Sequence, residues 1–227
     1  MSVQVILESE PNNFPAGEQH VQLSKRILWK YKSDDELLQL VTLANEYEIE
    51  VLDVPYFPHS RMDRSVGNSL NTLKSVCNII NSTCIKRIRT LDIHSTVTSD
   101  LLSAELENEM PVWDTENCYT VAPDAGCITA GRIENPDFIF SKTRDPISGN
   151  VTGLKCKLEP SAMFNESPIV VIDDICDGGR TFVEIAKKLR DMGYKNELRL
   201  MVSHGIFSKG KEELSKYYNI IEARNTL

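Results

Sequence analysis

The sequence predicts an α/β protein of two halves, each a mainly parallel sheet flanked by helices. Three observations carry this. Strand-length apolar runs alternate with segments of helical period along the chain. Residues 168–174 (PIVVIDD) are apolar at consecutive positions, so both faces are expected to be buried, as in a central parallel strand. Residues 105–116 (ELENEMPVWDTE) are polar, carry a proline and interrupt the alternation, which divides the chain into residues 1–110 and 111–227.

The elements follow in order. Residues 33–36 (SDDE) read as a capping box, opening a helix whose buried stripe is Leu37, Leu40, Val41 and Ala44. Residues 50–57 (EVLDVPYF) read as a strand. Val66, Leu70, Leu73, Cys77 and Ile80 step by four, three, four and three and describe one helix face. Strands are expected at 87–94, 117–122, 137–141, 168–174 and 198–203. Phe182, Ile185, Ala186 and Leu189 make a further helix face, with Gly193 as its terminator.

Composition bounds the function. The chain has 227 residues, 41% hydrophobic and 26% charged, which is globular and excludes disorder, collagen and coiled coil. No run approaches the ~18 apolar residues of a membrane span. The first residues carry no basic segment, so no secretory signal is expected. Six cysteines at 77, 84, 118, 127, 156 and 176 form no C-x-x-C or zinc spacing, which suits reduced thiols in the cytoplasm. The net charge of −8 argues against nucleic acid as a partner, because that binding rests on neutralising phosphates.

Chemistry gathers in residues 170–182 (VVIDDICDGGRTF). A buried strand runs into Asp173 and Asp174, a short loop with Asp177, Gly178 and Gly179, then Arg180 and Thr181 at a helix start. Glycines let backbone N–H groups approach a phosphate, and a helix N-terminus offers unpaired donors and a positive dipole end. The acids suit ribose hydroxyls, or a metal carrying a second phosphate. The plain structural alternative is a strand–turn–helix with an aspartate cap.

This segment resembles the ribose-phosphate loop of type I phosphoribosyltransferases and of their relatives, the ribose-phosphate pyrophosphokinases, which make phosphoribosyl pyrophosphate (PRPP). Six further elements resemble the latter, in family order. Residues 14–18 (FPAGE) look like F-x-x-G-E at the ATP site, and residues 55–64 (PYFPHSRMDR) look like P-Y-x-x-x-x-R-Q-D-R. Residues 91–94 (LDIH) are placed like D-L-H, and 122–126 (APDAG) like S-P-D-x-G. Residues 141–144 (SKTR) look like the mobile catalytic D-K-x-R loop, and 203–208 (SHGIFS) like T-H-G-I-F-S. Taken singly each has a structural reading: Glu18 a solvated acid, Asp124 a turn residue, Lys142 and Arg144 solvated loop cations, His204 a structural histidine.

The resemblance implies two phosphoribosyltransferase-like domains and transfer of pyrophosphate from ATP to ribose 5-phosphate, with Mg²⁺. It implies that Phe14, Glu18, Arg61, Asp63 and His94 serve ATP. It places the sugar phosphate on Asp173, Asp174, Asp177, Gly178, Gly179, Arg180 and Thr181. His94 and Asp124 would lie by the metal, and Lys142, Arg144 and His94 would take part in catalysis. A homodimer or higher homo-oligomer is implied as well. A PRPP-using phosphoribosyltransferase and a non-catalytic regulatory homologue are the alternatives. Met62 stands where the family has glutamine, and 177–181 reads DGGRT instead of D-T-G-G-T. Before F-x-x-G-E about one strand is expected, and the N-T-L end stands where the family's chain continues, which bears on assembly and regulation.

Overall fold

The computed structural model describes residues 2–13, 19–65, 67–144, 151–156 and 167–227. These fall into two units, Met1–Met110 with Leu227, and Pro111–Thr226.

The first unit has a five-stranded sheet in chain order. Strands β1 (Val3–Asn13) and β2 (Gln19–Trp29) pair antiparallel, β1 being the one strand expected before residues 14–18. From β2 onward the pairing is parallel, through β3 (Val51–Asp53), β4 (Arg87–Leu91) and β5 (Glu105–Glu109). Helices α1 (Glu36–Glu46), α2 (Thr72–Asn81) and α3 (Val97–Leu101) make the crossovers. One core holds Ile27, Trp29, Leu40, Ala44, Leu52, Leu73, Cys77, Ile80 and Ile88.

The strand period of two sends the alternate residues the other way. There Arg26 meets Asp53 at 2.9 Å, Asp53 meets Arg89 at 3.7 Å, and Arg89 and Arg87 each meet Glu107 at 3.1 Å. Such part-exposed pairs contribute ~0–1 kcal/mol each and act mainly to keep this face polar.

Two helix starts differ from expectation. Helix α2 begins at Thr72, not 66: Asn71 caps it by accepting from the Lys74 N–H at 2.9 Å, and Gly67 sits at φ +59°. Leu70, which matches the helical period, is therefore 71% exposed, and Val66 lies outside the described residues. At α1 the N-cap residue, Asp35, makes no side-chain capping bond. Glu36 instead reaches back and accepts from the Lys32 N–H at 3.0 Å and Trp29 Nε1 at 2.9 Å.

The second unit has a six-stranded sheet in the order β11-β10-β9-β6-β7-β8. The strands are β6 (Tyr119–Ala122), β7 (Phe138–Arg144), β8 (Val151–Cys156), β9 (Ile169–Cys176), β10 (Leu198–Gly205) and β11 (Ile220–Thr226). All neighbours are parallel except β7 and β8. Strand β9 is central, and its alternation is split between two cores. Ile169 and Val171 pack with Phe182, Ile185 and Leu189 of α5 (Arg180–Asp191). Val170 and Ile172 pack with Cys127 of α4 (Ala125–Thr129) and Ile133. Gly193, at φ +93°, follows the end of α5 in the left-handed region a terminating glycine occupies.

Residues 141–144, read as loop, form the end of β7, paired with β8 with an irregularity at Thr143/Arg144. All six cysteines are free thiols; burial pushes Cys77 up to about 11 and Cys176 up to about 12. Among the described residues no helix is long and apolar enough to cross a membrane.

Candidate active site

In parallel sheets the carboxyl ends of the strands are where loops gather polar groups. In the second unit this end of β9 carries Asp173 and Asp174. Asp174 is 4% exposed and forms an ion pair with Arg132 at 3.3 Å, both side chains being almost wholly buried. Asp173 accepts from the Asp174 N–H at 3.0 Å. Burial pushes the Asp173 carboxyl well above the usual range, and the charges of Asp174 and Asp124 push it the same way. This acid concentration favours groups that donate hydrogen bonds or bring positive charge.

The next turn prepares an anion cradle. Gly179 is at φ +74°, and a Cβ there would stand 3.2 Å from Leu214, so conformation and space both call for glycine. Helix α5 then starts without a side-chain cap, the Gly179 carbonyl accepting from Val183 N–H at 3.1 Å. Its first-turn N–H groups and dipole end suit a phosphate. Thr181 sits half-buried in that first turn. Ser208 donates to Asp177 at 2.6 Å, tying the turn to the loop after β10. Arg180 donates along the helix to Glu184 at 2.8 Å.

Asp124 caps α4, accepting from the Cys127 N–H at 3.2 Å. His204 is buried in β10, 3.2 Å from the Asn225 amide of β11. Lys142 and Arg144 lie on β7, while their side chains are outside the described residues.

In the first unit, the loops after β3 and β4 meet at the carboxyl ends of two adjacent strands. Ser95 donates to Asp63 at 2.8 Å, and Arg64 donates to the same carboxylate at 3.0 Å. The Asn71 amide donates to the Asp63 carbonyl at 2.7 Å. Burial works against an ionised Asp63, but the bonds from Ser95 and Arg64 and the charges of Arg64 and His94 hold it below the usual range. Asp63, Arg64 and His94 thus come together, and Arg61 is exposed on the same loop. The loops hold strained backbone at His59 (φ 60°) and Asp92 (φ 39°). Phe14 and Glu18 lie outside the described residues.

Among the described residues no group of three or more His, Cys, Asp and Glu is set to hold a metal ion. His94 belongs to the first unit and Asp124 to the second. The acids around Asp173 nonetheless fit Mg²⁺, a hard cation that takes one or two carboxylates and completes its shell with phosphate oxygens and water.

Sequence reasoning missed Arg132 and Ser95. Ser95 directly follows His94 and could have been read with it; Arg132 has no spacing signal relative to Asp174.

No family model matches the chain. Its sequence is similar to curated ribose-phosphate pyrophosphokinases. The protein from Cereibacter sphaeroides is 27% identical over 78% of this chain and 57% of that protein. Those from Hyphomonas neptunium and Bradyrhizobium diazoefficiens are 25% and 28% identical, over 78% and 79% of this chain and 62% of each relative. The chain therefore spans about three fifths of the length of these relatives. The crystal structure of phosphoribosylpyrophosphate synthetase from Mycobacterium smegmatis matches with a TM-score of 0.68 at 15% identity, over 94% of this chain and 78% of that one. The chain is thus a sequence relative of the ribose-phosphate pyrophosphokinases, with the phosphoribosyltransferase-type fold of phosphoribosylpyrophosphate synthetase.

Proposed function

We propose that the chain is a ribose-phosphate diphosphokinase, converting ATP and ribose 5-phosphate to PRPP and AMP. The single observation that carries this reading is the acid pair and glycine turn between β9 and α5. It joins a hydroxyl-binding acid edge to a phosphate cradle, in a chain similar to enzymes of that name.

Residues 111–227 hold ribose 5-phosphate in this reading, and residues 1–110 the ATP side. Asp173 accepts from the ribose hydroxyls, with Asp174 fixed behind it by Arg132. The first turn of α5, with Gly178, Gly179 and Thr181, holds the 5-phosphate. Arg61, Asp63, His94, Phe14 and Glu18 form the nucleotide side. The anomeric oxygen then attacks the β-phosphorus of ATP. The new O–P bond forms as the bond to the α–β bridging oxygen breaks, AMP leaves with that oxygen, and the anomeric proton is released. Positioning and charge neutralisation supply most of the acceleration in such a transfer. Lys142 and Arg144 meet the charge that grows on the transferring group. Mg²⁺, which Asp124 beside Asp173 would help to hold, would supply further neutralisation and orientation when bound, while His94 serves the nucleotide side. A homodimer, in the cytoplasm where the thiols stay reduced, completes the reading.

The test is AMP release from ATP with and without ribose 5-phosphate. The reading expects release only with the sugar. Equal release in both would mark an ATP hydrolase, and consumption of added PRPP with a nucleobase would mark a phosphoribosyltransferase.

A further inference from the structure

The phosphate cradle contains an acid, Asp177, within a chain of net charge −8, yet a sugar phosphate arrives as a dianion. Arg180 is the cation the sequence offers there, but its guanidinium is placed on Glu184. The loop after β10 supplies another. The Ile206 and Phe207 N–H groups both donate to the Cys176 carbonyl, at 2.9 and 3.1 Å. Ser208 donates to Asp177 at 2.6 Å. A turn closed by Gly210 N–H on the Phe207 carbonyl at 2.7 Å, with Gly210 at φ +73°, follows at once. This locks residues 206–210 against the cradle.

The consequence is the placement of Lys209. A Cβ on Gly178 would stand 3.6 Å from both Cδ and Cε of Lys209, so the lysine stem lies across the bare backbone of the cradle. The ammonium is one bond beyond Cε. Laying the methylene stem along the protein while the charge stays at the rim is the usual behaviour of lysine. Among the described residues Lys209 makes no ion pair. Lys211, two residues on, is instead held over the Phe207 ring at 4.3 Å.

We propose that Lys209 is a phosphate-binding residue of this site, its ammonium pairing with the 5-phosphate of the bound sugar over Gly178. The proposal rests on the reading of 173–181 as the ribose-phosphate site.

The experiment is calorimetric titration of the full chain with ribose 5-phosphate and, separately, with ribose. A charge-assisted bond of this kind predicts that Lys209→Ala weakens ribose 5-phosphate binding roughly ten- to hundredfold. Ribose binding stays unchanged, Lys209→Arg retains most of the affinity, and Lys211→Ala resembles the parent chain. Equal affinity of Lys209→Ala and the parent for ribose 5-phosphate would overturn the assignment alone. So would an equal loss for both ligands. A parent chain that binds no ribose 5-phosphate at all would overturn the reading of the site itself.

Discussion

The buried pair of Arg132 and Asp174 gives the sharpest test of how the acid edge is built. Both side chains are almost wholly out of water and 3.3 Å apart. Replacing Arg132 by Met leaves a buried carboxylate without its counter-charge, which costs about 3–5 kcal/mol. If the second unit melts on its own, each kcal/mol corresponds to roughly 4 °C or more, so the loss is ~10 °C or more. Trp113 and Trp29 are the two tryptophans and lie one in each unit, so fluorescence of a Trp29→Phe background follows the second unit alone. Removing both charges together, as Arg132→Met with Asp174→Leu, recovers much of the stability, because no charge is then stranded. An Arg132→Met variant within ~0.5 kcal/mol of its parent would refute the reasoning, and so would a double variant no better than the single.

Other expectations follow from the same geometry. Lys142→Ala lowers kcat by roughly a hundredfold or more, with ribose 5-phosphate affinity little changed, as read from steady-state kinetics and titration. Asp173 has a raised folded-state pKa, so its charge costs stability that is fully lost only above that pKa. Asp173→Asn therefore raises the melting temperature at neutral pH while weakening sugar binding. Asp63 is the opposite case: its pKa is lowered, so its contribution is present above the unfolded value near ~3.9 and fades as pH falls through the folded one. The stability gap between the parent and Asp63→Asn should thus be widest above the unfolded value and narrow as pH falls below it. A gap that widens on acidification would contradict the Ser95 and Arg64 contacts.

What was legible in the sequence follows from burial. Residues 168–174 and the 182–189 stripe were readable because β9 is covered on both faces and α5 presents one continuous apolar face to it. Strand β5 was missed because only Leu106 points inward and the rest of ELENE faces solvent, so no apolar alternation marks it. β8 and β11 are likewise sheet edges with little apolar signal. Leu70 matched the helical period by coincidence, and the true start was set by the capping chemistry of Asn71. At the site, Asp173–Thr181 form one local unit and could be read from spacing. The Arg132–Asp174 pair could not, because it joins side chains 42 positions apart through the tertiary fold. Asp63 looked like a nucleotide-site acid, and the structure gives it a second task, joining two loops through Ser95.

Phosphorus NMR of the full chain with ATP, Mg²⁺ and ribose 5-phosphate tests the central claim most directly. The account predicts loss of the ATP β and γ signals in step with the appearance of AMP and of a diphosphate ester on the anomeric carbon. ADP with a single new phosphate on the anomeric carbon, giving a sugar bisphosphate, or an unchanged spectrum while ribose 5-phosphate demonstrably binds, would contradict it.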